Sequence, residues 1–101
     1  MTALRPELPD LPVRAALGDI VAALATAGSA VLVAPPGTGK TTLVPLALAP
    51  GLPGKVVVAE PRRLAARAAA ARMAALCGEE VGRTVGYAVR GDARTSAATR
   101  I

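Results

Sequence analysis

The sequence predicts an α/β protein: a parallel sheet flanked by helices and incomplete as it stands. Three observations carry that expectation. Two apolar β-rich runs, AVLVA at 30–34 and KVVVAE at 55–60, lack polar alternation, as strands covered on both faces require. Turn chemistry and a stretch at helical periodicity follow each run, so strand and helix alternate. And 101 residues amount to at most one domain. Two or three strands cannot cover both faces and both edges of such a sheet, so the alternation reads as the opening piece of a larger protein.

Residues 1–11, interrupted by Pro6 and Pro9, read as an extended lead-in, and 12–101 as the folded part. From Pro12 to about Ala27, the residues Val13, Leu17, Ile20, Val21 and Leu24 fall at helical spacing. Pro12 suits a first helical turn and Gly28 the exit. The first strand, 30–34, runs into a loop at 34–41. A helix then continues to about Ala49, restricted or bent by Pro45. APGLPG at 49–54 is turn chemistry, and 55–60 is the second strand. Pro61 opens an Ala-rich helix to Cys77, with Gly78 placed to cap it. A short third strand is expected around Thr84–Val89, and the tail 93–101 is polar until Ile101. There are no internal repeats.

Composition narrows the classes. Lys and Arg outnumber Asp and Glu by 12 to 7, a net +5, which favours polyanionic partners, nucleic acid first. Cys77 stands alone, so the sequence offers no internal disulfide and no Cys-rich zinc site. Histidine is absent, which excludes imidazole catalysis and His-ligated metals from this stretch. The N-terminal run is broken by Arg5, Glu7 and prolines, unlike a signal peptide, and no 18-residue apolar run follows. No membrane partner is expected, and a reducing cytoplasm is the default. Tyr87 is the single aromatic, so the core rests on Val, Leu, Ile and Ala and buries less area per residue than one with rings.

The chemistry sits first in APPGTGKTT, residues 34–42. A phosphate chain needs many converging donors. A strand ending in a Gly-rich loop that feeds a helix supplies them, because backbone N–H groups curl around the phosphates and the helix N-terminus adds partial positive charge. Pro36, Gly37, Thr38 and Gly39 form that turn, the glycines allowing close backbone approach. Lys40 is expected to reach the β- and γ-phosphates, and Thr41 to offer its hydroxyl to Mg²⁺. Thr42 is read as structural or a minor nucleotide contact. The strict pattern begins with Gly, whereas Ala34 stands six residues before Lys40. Glu60 ends a strand as a metal-binding acid would, yet lies only 20 residues after Lys40 with Pro-Arg-Arg behind it. It is read as a strand-end hydrogen-bonding residue. The remaining acids, Asp92 among them, have no strand to aim them, so the acid pair that hydrolysis needs is missing.

EPRRLAAR, residues 60–67, is the second motif. Pro61 begins a helix from whose first turns Arg62, Arg63 and Arg67 project over one broad sector. Amides, helix dipole and guanidinium forks at one place suit a nucleic-acid backbone phosphate, a contact that positions a strand without reading its sequence. A solvated Arg-rich helix end is the plainer reading. Arg72 falls on another side.

APPGTGKTT, then VVVAEPRRLAAR, then VGYAVR together resemble the first motifs of the DEAH-box helicases of superfamily 2, and among them the bacterial HrpB type. The resemblance covers residues 8 to 101. It implies a RecA-like ATP-binding domain, represented here by its N-terminal part, with ATP and Mg²⁺ as ligands and single-stranded nucleic acid, RNA foremost, as partner. By the same resemblance Gly37, Gly39, Lys40 and Thr41 match the Walker A loop, while Pro61, Arg62 and Arg63 match the motif that lies along the bound strand. Gly86, Tyr87 and Arg90 match a segment for which no role is carried over; Tyr87 is expected to pack within the domain. The acidic box, the Ser-Ala-Thr motif and the second RecA-like domain have no counterpart in the sequence, so this stretch alone is expected to be inactive and to need the remaining helicase domains of its chain. Two other readings stand beside this one. PPGTGKT also suits an AAA-type ATPase, although EPRRLAAR has no obvious purpose there. A basic module that binds nucleotide or nucleic acid without turnover is the third.

Overall fold

A computed structural model describes residues 11–35 and 39–101. The expected N-terminal helix is present in two parts. Pro12–Ala16 winds as a 3₁₀ turn, and α1 spans Leu17–Ala27, ending where Gly28 takes a left-handed φ of 81°. α2 spans Lys40–Leu48 and continues through Pro45, whose missing N–H lies inside the helix while its ring is buried. A 3₁₀ turn, Ala49–Gly51, follows. α3 spans Arg63–Leu76. Its end is a Schellman arrangement: the Glu79 N–H donates to the Ala74 carbonyl and the Gly78 N–H to Ala75, with Gly78 at a φ of 71°.

The hairpin is the one sheet among the described residues. β1, Tyr87–Val89, pairs antiparallel with β2, Asp92–Arg94, in the register Tyr87↔Arg94, Ala88↔Ala93, Val89↔Asp92. The expected third strand is thus real but shorter, and its partner lies in the stretch read as a polar tail. The expected parallel sheet does not form as ladders here. Residues 30–34 and 55–60 lie outside any assigned strand, and the exposures of Val31 and Val33 (92% each) and Val57 (88%) correct the expectation that both runs are buried. The reason is physical: a strand exists through its neighbour, and no described segment lies along either run over its length. Contact is confined to one end, where the Val56 N–H donates to the Arg100 carbonyl at 2.8 Å.

Packing runs in sequence order. α1 lies on α2, α2 on α3, and α3 on β1. One apolar cluster joins Val13, Leu17 and Leu43. The other joins Leu46, Ala70, Met73, Ala74 and Val85, with Tyr87 and Ile101 against it. Alanine supplies much of both helix faces, so the contacts are close but the buried area is modest.

The tail is tied down by Arg100. Its Nη2 lies 2.8–3.0 Å from the carbonyls of Ala49, Leu52 and Gly54, closing the turn after α2 onto the chain's last residues. The Ile101 N–H donates to Thr84 while the Gly86 N–H donates to Ile101. No helix among the described residues is long and apolar enough to cross a membrane.

Candidate functional site

Of the loop residues singled out above, Pro36, Gly37 and Thr38 lie outside the described residues. Gly39 begins the part that is described. Its φ is +95°, which an L side chain resists, and a Cβ there would meet Leu11 Cδ1 at 2.9 Å. Torsion and space both call for glycine. Gly39 also stands at the head of α2 with no side-chain cap, so the first amides of that helix are left for an outside acceptor.

Lys40 is exposed, and its ammonium donates back across the loop to the Ala34 carbonyl at 2.7 Å. That bond holds the two ends of the loop together and places the ammonium at its mouth. Thr41 is exposed, and its hydroxyl makes no hydrogen bond. Thr42 is half-buried, with its hydroxyl 3.5 Å from the Gly39 carbonyl, a weak local contact. Uncapped amides, an ammonium and a free hydroxyl are a donor set suited to a polyanion with its counter-cation. Lys40 and Thr41 line a cleft of ≈ 330 Å³ together with Val44, Pro45 and the run Val56–Glu60.

Glu60 closes that cleft as an acceptor. Its Oε1 takes the Arg62 N–H at 3.3 Å and faces Arg62 Nε at 3.5 Å. Glu60 thereby caps the start of α3, the hydrogen-bonding role expected from its strand-end position. No cluster of three or more metal-ligating side chains occurs among the described residues.

The arginines at the head of α3 divide. Arg62 turns to Glu60. Arg63 and Arg67, one helical turn apart, both engage the hairpin. Arg63 Nη1 donates to the Arg90 carbonyl at 3.0 Å. Arg67 Nε stands 3.8 Å from Asp92 Oδ2, with its guanidinium 5.7 Å from the centroid of the Tyr87 ring. The Tyr87 hydroxyl donates to the same Asp92 oxygen at 2.6 Å. That bond, followed by the charges of Arg67 and Arg94, holds the Asp92 carboxyl below its ordinary range. Pro61 and Arg72 are exposed and outside this group.

Asp92 and the Arg90 carbonyl are the residues sequence reading missed. Asp92 does have a strand to aim it: β2 places it diagonally across from Tyr87. The signal lay in Arg90-Gly91, a two-residue turn whose glycine has a φ of 84°. Tyr87 packs within the domain, as expected. Burial, then the nearby Glu79, pushes the Cys77 thiol up, which keeps it protonated and unreactive.

No family model matches the chain. Its relatives nonetheless define a class: it is homologous to DEAH-box ATP-dependent RNA helicases. Within that class it is similar to HrpB. It is 50% identical over 82 residues to the ATP-dependent RNA helicase HrpB of Escherichia coli (strain K12), a match covering 79% of this chain and 10% of that protein. It is 42% identical over 94 residues to the Homo sapiens ATP-dependent RNA helicase DHX33, covering 90% of this chain and 13% of that one. A crystal structure of the Escherichia coli DEAH/RHA helicase HrpB matches with a TM-score of 0.84 at 46% identity, over 90% of this chain and 12% of that one. The chain thus spans between 10% and 13% of the length of these relatives.

Proposed function

We propose that this chain is the part of an ATP-dependent RNA helicase that grips the nucleotide's phosphates and lies along a single RNA strand. In this reading residues 12–101 are the N-terminal portion of a RecA-like domain whose parallel sheet begins with 30–34 and 55–60, and the protein works in the cytoplasm. The observation that carries it is the Lys40 bond to Ala34, which sets an ammonium at the mouth of a loop whose following helix is uncapped. Pro36 to Thr42 would cradle the phosphates, Lys40 would neutralise the β- and γ-groups, and the Thr41 hydroxyl would be a ligand of Mg²⁺. The bound cation would supply charge neutralisation along the phosphate chain. Arg62, Arg63 and Arg67 would contact RNA phosphates without reading bases. Because Glu60 is committed to Arg62, the 101 residues alone are expected to hydrolyse no ATP.

In the full-length protein, Lys40→Ala should abolish ATP hydrolysis while leaving the melting temperature near that of the parent, since Lys40 is exposed. Full turnover by this variant would remove the phosphate-loop assignment. Replacing Arg62 and Arg63 together by Ala should weaken binding of single-stranded RNA and flatten its salt dependence by roughly two in log–log slope. Anisotropy titrations at several salt concentrations read both quantities, and unchanged affinity would sink the backbone-contact assignment.

A further inference from the structure

Two of the arginines at the head of α3 face carboxylates, and the two holds differ in kind. Glu60 is only 20% exposed at its side chain and takes a backbone N–H as well as the Arg62 side chain, so it belongs to the helix start. The Arg67–Asp92 pair is different. Its 3.8 Å separation is near the limit for an ion pair, and the two side chains are 50% and 43% exposed. Such a contact holds a guanidinium in place without consuming it.

Asp92 itself is well fixed. The 2.6 Å bond from Tyr87 anchors its Oδ2, and its backbone is in register with Val89. Arg67 rests against the Tyr87 ring, which limits where its long side chain can go. If Arg67 left, Asp92 would keep the Tyr87 bond, and no buried charge would be stranded. A phosphate diester, by contrast, can offer Arg67 two oxygens at charge-assisted hydrogen-bond distance, which Asp92 does not do from where it sits. The side chain most easily released therefore stands on the same helix end as Arg62 and Arg63.

We propose that Asp92 is a stand-in anion: it parks Arg67 against Tyr87 and yields it to a backbone phosphate when a single RNA strand arrives. Asp92 and Tyr87 are then positioning residues whose hold competes with the nucleic acid. Parking lowers the rotamer freedom Arg67 must lose on binding, while the carboxylate opposes the phosphate until the exchange occurs. The proposal rests on the reading of the α3 arginines as backbone contacts.

The sign of one substitution tests it. With full-length protein and a labelled single-stranded oligouridine at low salt, Asp92→Asn should tighten binding roughly two- to fivefold, the range expected from releasing an exposed pair. Arg67→Ala should weaken binding, and adding Asp92→Asn to Arg67→Ala should change nothing further. Glu80→Gln, at an exposed acid remote from these contacts, controls for bulk charge. Weaker binding by Asp92→Asn would make Asp92 a support rather than a competitor and overturn the proposal. Equal tightening with and without Arg67 would overturn it too, by making the effect one of net charge. If replacing Arg62 and Arg63 leaves affinity unchanged, the functional reading fails. If that replacement weakens binding while Asp92→Asn is neutral, the exchange alone fails.

Discussion

Gly86 has less room than any other described residue with a hydrogen in place of a side chain. A Cβ there would run into the Arg94 carbonyl and lie 3.1 Å from Thr95 Cγ2 and 3.3 Å from Thr99 Cγ2. Its φ is not positive, so the demand is for space rather than torsion. Gly86→Ala should destabilise the chain by about 1–3 kcal/mol, the range for forced overpacking, seen as a lowered thermal midpoint. An unchanged midpoint would mean that the hairpin gives way easily. Residues whose role depends on local spacing were legible in this way of reading: Lys40, Glu60 and Arg62 all make the kind of contact their immediate neighbours implied. Asp92 was not. Its partners Tyr87 and Arg67 lie across a turn and on another helix, and an acid with no visible strand gives no hint of either.

Helices and strands differed in legibility for one reason. A helix bonds to itself, so periodicity and caps suffice to find it, and Gly28 and Gly78 stand within a residue of the ends observed for α1 and α3. A strand is made by its neighbour. β2 went unread because its residues are polar and its partner is set only by the Arg90-Gly91 turn, while 30–34 and 55–60 have strand composition without a ladder. The cap of α3 offers a test at this scale. Gly78 is left-handed in open surroundings, so Gly78→Ala adds torsional strain alone and should cost about 1–2 kcal/mol. Chemical denaturation should show the loss in the midpoint with the slope unchanged. A loss much greater would point to a steric role that the surroundings of Gly78 do not suggest.

Across the whole molecule, apolar surface is distributed unevenly. Val31, Val33, Val57 and Leu64 are open, whereas the two small clusters hold the interior. Extended apolar runs with unpaired backbone are templates for association. The 101-residue chain should therefore self-associate with rising concentration. Replacing Val31, Val33 and Val57 together by Thr, which keeps β-propensity, should suppress this with little effect on the melting midpoint. Light scattering over a concentration series checks the first claim, and a thermal melt the second. Arg100 adds a consequence in time. The carbonyls of Ala49, Leu52 and Gly54 precede their guanidinium by 46 to 51 residues. At a synthesis rate of about 5–20 residues per second, that turn waits roughly 2–10 seconds on the ribosome before its partner exists. Until then water must serve those oxygens, and α2 and α3 have to meet without the clasp that later binds the turn between them to the tail.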